Sequence, residues 1–263
     1  MSGERNYSTQ LQAGLGMIPE TLDLLRLWEP GTIPSRLADK VVETGLFSRA
    51  TARRARNLVV EMFAPRYLAD QGKVASRFKF LVDQGFSHDS LVQLFFLQTA
   101  RSQQIFNDFI IEVYWPKYMA GASSLNRSDA ESFIYRALDN GKMQKRWSDS
   151  TIKRVSGYLL GCCEDFGLLE SGVRAERIIK RFVIREDVAL YLSYDLHFQG
   201  LNDIAVTQHL DWRLFGLDPQ DVIRQFDRLS HDGHLLIQSG AELVQVFWKY
   251  RDMEGCLNAL TQR

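Results

Sequence analysis

Cysteine is scarce: Cys162, Cys163 and Cys256 are too few and too oddly placed for a disulfide framework. Two of them are neighbours on one turn, where neither a mutual bond nor a zinc-ligand spacing arises, so they read as small core residues in a reducing compartment. Long apolar runs are missing. A bilayer span needs roughly 20 such residues, and the nearest stretch, 91–97, is broken by Gln93 and reads as a buried helix. The start, MSGERNYSTQ, holds no apolar signal core, which gives the expectation of a cytoplasmic protein with no membrane partner. Catalytic signatures are missing too. The chain has no glycine-rich phosphate loop followed by Lys-Ser/Thr, no GxSxG, no His-Glu-x-x-His and no Cys-x-x-Cys. His88, His197, His209, His231 and His234 are scattered, and the one close pair straddles Gly233. These absences give the expectation of a non-enzymatic protein that uses no cofactor and no metal.

Net charge is absent only as a total. Residues 49–79 carry net +6 and 127–185 net +4, whereas 1–48 and 80–126 carry −2 each and 186–263 carries −6. Asymmetry of this size points to a polyanionic partner for part of the chain. The acidic final third argues against uniform nucleic-acid binding along its whole length.

Apolar residues recur mostly at three- and four-residue steps, so the expected fold is mainly α. Residues 1–17 carry few structure signals and read as a partly ordered arm. Pro19 opens a first helix and Pro30-Gly31 ends it; Pro34 opens a second, stopped at Gly45. Ser48 is placed to cap a third helix reaching about Tyr67 with a bend at Pro65. Residues 74–120 give two or three helices, the last ended or kinked at Trp115-Pro116. Residues 121–124 read as a linker, and Ser128 with Glu131 as a capping box. Ser148 caps a further helix with Ile152, Val155, Tyr158, Leu159, Cys162, Cys163 and Phe166 on one face. Asp218-Pro219 opens the last long one.

Two short stretches echo each other. GLLESG at 167–172 and GHLLIQSG at 233–240 each follow a helix and open a hairpin. The expected organisation is a helix-turn-helix-like segment over 1–72, a helical hub over 73–126, a basic winged-helix-like module over 127–185 and an acidic one over 186–263. The hairpins are the wings. The first copy is basic and the second acidic, so the first is expected on nucleic acid and the second on protein.

Candidate binding residues follow from charge. Arg49, Arg53, Arg54 and Arg56 crowd the start of the third helix. Cations there oppose the helix dipole by about a few tenths of a kcal/mol, so four arginines call for an external anion. The N-terminal residues of a recognition helix are the ones that reach DNA. Lys142, Lys145, Arg146, Lys153, Arg154 and Arg174 form the second cluster, with the composition that phosphate backbones select. The bland alternative is a solvated basic face on ordinary core helices.

Four blocks, YSTQLQAGLGMIPETLDLLRLWEPG, LFSRATARRARNLVVEMFAPRYL, RWSDSTIKRVSGYLLGCCEDFGLLESG and WRLFGLDPQDV…LSHDGHLLIQSGAELVQVFWKY, together resemble the BrxA proteins of bacterial BREX phage-defence systems. The resemblance spans nearly the whole chain and rests on the order of blocks. It implies a small, mostly helical, cytoplasmic, non-enzymatic accessory protein that binds DNA through helix-turn-helix or winged-helix modules; with the basic clusters, the expected ligand is double-stranded DNA. It also implies other BREX components as partners, among them an adenine methyltransferase. Two other readings stand beside it: an adaptor whose charged faces bind proteins, and an RNA-binding protein, since the family has been likened to antitermination factors. A label of inner-membrane protein, also used for the family, finds no spanning segment here.

Overall fold

The computed structural model describes residues 7–8, 16–171, 176–240 and 244–262. The fold is mainly α. The chain forms two compact units, Met1–Val82 with Phe95–Phe182, and Asp83–Leu94 with Val183–Arg263, where the sequence divides into four stretches.

The first unit begins with α1 (Ile18–Leu27) and α2 (Pro34–Thr44), each with proline in its first turn, and Gly45 closes α2 in the left-handed conformation. The next helix starts three residues later than Ser48 would set it. Residues 45–49 form turns, and Thr51 is the cap, its hydroxyl accepting the Arg54 N–H at 3.2 Å. Helix α3 (Ala52–Asn57) then widens into a π-helical segment, Leu58–Leu68, which carries Pro65 inside it. Helices α4 (Lys73–Asp83) and α5 (His88–Ser102) follow, α5 joining this unit from Phe95 onward. Trp115-Pro116 does not end the next helix. Helix α6 (Gln104–Phe109) passes through a π-turn, Ile110–Tyr114, into α7 (Trp115–Met119), which holds Pro116 as its second residue.

The expected linker is in part a strand. β1 (Ser124–Leu125) precedes α8 (Arg127–Asp139) and α9 (Asp149–Asp165), which are followed by β2 (Leu169–Ser171) and β3 (Arg177–Ile179). The sheet order is β1-β3-β2, all antiparallel, with Ser124 opposite Ile178 and Leu169 opposite Ile179. Pairing with β3 holds the chain extended up to Asn126. That residue, and not Ser128, caps α8 in a reciprocal box with Asp129. Ser148 caps α9 as expected, accepting the Thr151 N–H at 3.3 Å.

Aromatic rings dominate the core of this unit. Tyr67, Phe78 and Phe95 stand 5.8–5.9 Å apart, and Phe96 meets Phe106, Phe166 and Phe182 edge-on. Such pairs contribute about 0.5–1.5 kcal/mol each beyond area burial.

The second unit holds α10 (Glu186–His197), α11 (Asp203–Thr207), a 3-10 turn Leu210–Phe215, α12 (Pro219–His231), β4 (Leu235–Ser239), β5 (Val244–Trp248) and α13 (Met253–Thr261). β4 and β5 pair antiparallel, Leu235 opposite Trp248 and Ser239 opposite Val244. The glycines that end α9 and α12, Gly167 and Gly233, share a left-handed φ of 76° and 71°. Both copies of the sequence echo thus leave a helix through the same turn and enter a strand. Only the first copy has a third strand among the described residues.

Candidate nucleic-acid interface

Both basic clusters fall in the first unit. In the first cluster Arg49 lies in the turn before α3, and Arg53 and Arg54 in its opening turn. Ala55, Leu58, Val59 and Met62 point inward and are buried, which sends these arginines outward. All three are exposed, and none makes an ion pair among the described residues. Arg56 differs: its Nη1 meets Asp39 Oδ1 of α2 at 2.6 Å, so its charge is partly answered inside the fold.

The second cluster divides in the same manner. Ile152, Val155, Leu159, Cys162 and Cys163 of α9 are buried, leaving Lys153 and Arg154 exposed on the outer side. Lys145 and Arg146 are exposed in the loop between α8 and α9. These four make no ion pair among the described residues. Lys142 is committed elsewhere. Its Nζ donates to Asp108 Oδ2 at 3.0 Å, Glu112 Oε1 at 3.1 Å and Tyr7 Oη at 3.3 Å, and it stands 5.5 Å from the centre of the Tyr7 ring. Partial burial opposes its charge, but the hydrogen bonds it donates to the two carboxylates prevail and its pKa is raised. Tyr7 closes the clip: its N–H donates to the Lys142 carbonyl at 2.9 Å and its hydroxyl to Asp108 at 2.5 Å. Burial and that bond keep the phenol protonated. Arg174 lies outside the described residues.

A family model, BrxA, matches residues 5–195. The chain belongs to the BrxA family. Membership places the protein in a BREX phage-defence system. The match takes in both basic clusters and ends inside α10, so most of the acidic second unit lies beyond it. A search of the curated proteins returned no match.

Among the described residues, no helix is long and apolar enough to cross a membrane, and no group of three or more His, Cys, Asp or Glu is gathered as a metal would need. Cys162 and Cys163 are fully buried. Burial pushes the Cys162 thiol up to about 12 and Cys163 well above its ordinary value, so neither supplies a thiolate at neutral pH.

Sequence reasoning missed the hollow beside the first cluster. Met17 and Glu20 of the α1 start, the turn from Leu46 to Ala50, and Arg54 and Leu58 line a cavity of 430 Å³. No local pattern marks it, because its walls come from two stretches brought together only by folding.

Proposed function

We propose that the protein binds double-stranded DNA as a non-enzymatic accessory of its BREX system, mainly through phosphate contacts. The observation that carries this is a set of seven exposed cations, Arg49, Arg53, Arg54, Lys145, Arg146, Lys153 and Arg154, with no ion pair among the described residues. Unanswered charges at this density favour a polyanion, whose condensed counterions they release on binding. The order β1-α8-α9-β2-β3 supports the reading as well, being the order of a winged helix with α9 in the recognition place. The capped start of α9 adds main-chain N–H groups and the positive end of its dipole to Lys153 and Arg154. Arg56 and Lys142, already paired to carboxylates, have smaller parts; Arg174 remains a candidate on charge alone.

A mobility-shift titration of a duplex at two salt concentrations tests this. Affinity falls steeply with salt and depends little on sequence. Replacing Arg53, Arg54, Lys153 and Arg154 together by Glu abolishes the shift; unchanged affinity would sink the assignment. Competition with structured RNA separates duplex DNA from the RNA reading.

One observation favours a second reading, a protein adaptor. In the acidic second unit, Leu236 and Phe247 are cross-strand partners and both are exposed, at 61% and 48%. An apolar pair of this kind fits a protein surface better than a phosphate backbone. Co-purification with other BREX components that survives nuclease treatment, and is lost in Leu236→Ser/Phe247→Ser, supports it.

A further inference from the structure

The cavity beside Arg49 combines charges that the fold leaves apart. Arg49 and Arg54 of its lining are exposed, and Glu20 is half-buried. All three line one space of 430 Å³, yet Glu20 pairs with neither guanidinium, and among the described residues none of the three has an ion-pair partner. Opposite charges sharing a small concave space ordinarily close on each other unless the backbone holds them apart. Here the walls belong to different elements: Glu20 to α1, Arg54 to α3 and Arg49 to the turn between α2 and α3. Buried Leu58 and half-buried Leu46 give the lining apolar surface, and half-buried Phe47 adds an aromatic ring. Met17, a non-glycine residue at φ 44°, completes the lining. Backbone held in that region carries strain of about 1–3 kcal/mol and gathers at ligand sites.

We propose that this cavity binds a nucleoside phosphate whose base carries amino donors, guanine foremost. The chemistry follows wall by wall. Arg49 and Arg54 are fork-shaped donors suited to a phosphate. Phe47 offers a face on which a base stacks. Glu20 is an acceptor only, so it selects bases with N–H groups on the Watson–Crick edge. Guanine presents two adjacent donors to one carboxylate, adenine and cytosine one amino group each, and uracil only its ring N–H beside two carbonyls. The volume lies within the about 300–1,000 Å³ range of small-molecule sites. The site shares Arg49 and Arg54 with the proposed duplex surface, but Arg53, Lys145, Arg146, Lys153 and Arg154 take no part in it.

Isothermal titration of the full chain with GMP, AMP, CMP, UMP and inorganic phosphate tests the proposal. GMP binds saturably and at least about fivefold more tightly than UMP, the discrimination expected of one good base-edge contact. Glu20→Gln brings GMP and UMP to within about twofold. Phe47→Ala weakens every nucleotide by about tenfold and leaves inorganic phosphate unchanged. Arg49→Ala with Arg54→Ala removes binding. Glu20, Arg49 and Arg54 lie outside the core, so their variants keep the parent melting curve. The proposal is overturned if no nucleotide binds at millimolar concentration, if inorganic phosphate binds as tightly as GMP, or if Glu20→Gln leaves the GMP/UMP ratio intact. Duplex binding is tested separately by replacing Arg53, Lys153 and Arg154 together by Glu, a variant that leaves every residue lining the cavity untouched.

Discussion

Trp248 donates its indole N–H to Asp203 Oδ1 at 3.0 Å, while the other carboxylate oxygen accepts the main-chain N–H of Val246 at 2.8 Å. One side chain from the first turn of α11 thereby occupies the edge of β5 that β4 leaves open. Asp203→Ala strips the acceptor from two donors and costs about 2–4 kcal/mol. Asp203→Asn retains one acceptor and costs less. Urea unfolding of the variants measures the difference. An uncovered edge strand also invites pairing between chains, so Asp203→Ala is expected to raise self-association in sedimentation runs.

Lys142 and Lys145 lie three residues apart and should behave oppositely. Lys142 is held by Asp108 and Glu112 with its side chain 36% exposed, and Lys142→Met costs about 1–2 kcal/mol of stability. Its effect on the salt dependence of duplex binding is small, since its charge is already answered. Lys145→Ala leaves stability within about 0.5 kcal/mol and lowers the slope of log affinity against log salt by about one. Urea unfolding and salt-series mobility shifts on the same two variants check both halves.

The His197 ring stacks on Trp248, centroids 4.1 Å apart and planes 14° apart, and its Nδ1 has no hydrogen-bond partner among the described residues. Burial lowers its pKa from 6.5, with Asp203 opposing. The unfolded chain therefore takes up the proton first. Stability from the neutral ring is full above about pH 6.5 and is lost as pH falls through that value toward the lower folded one. His197→Phe keeps the stack and flattens this part of the acid dependence, read from melting temperatures between pH 5 and 8.

Gly72 adopts φ +77°, and a Cβ there would stand 2.8 Å from Trp28 Cζ2. Trp28 is 1% exposed and has nowhere to retreat. Gly72→Ala combines left-handed strain with overpacking and costs about 2–4 kcal/mol, visible as a lowered melting temperature.

Local signals carried the helical reading far. Ser148, the Asp218-Pro219 start and the glycine stops at Gly45, Gly167 and Gly233 all act within a few residues, and each stands where the pattern puts it. What failed was set from afar. Asn126-x-x-Asp129 and Ser128-x-x-Glu131 are equally good capping boxes on paper; pairing of β1 with β3, more than fifty positions later, selects the first. Two residues of β1 carry no period to detect. Lys142 looked like its basic neighbours because Asp108 and Tyr7 are distant in sequence. Pro65, read as a bend, lies inside the π-helical segment, and Trp115-Pro116, read as an end or a kink, is carried on into α7.

The clip between Tyr7 and Lys142 also orders events in time. Tyr7 is made among the first residues of the chain, but its partner follows 135 positions later. At a synthesis rate of about 5–20 residues per second, Tyr7 waits about 7–27 seconds before Lys142 is made. Tyr7 is thus seated only after Lys142 has been made. A bulky fusion joined ahead of Tyr7 competes with that late step, so such fusions should slow the maturation of the first unit more than fusions placed after α13.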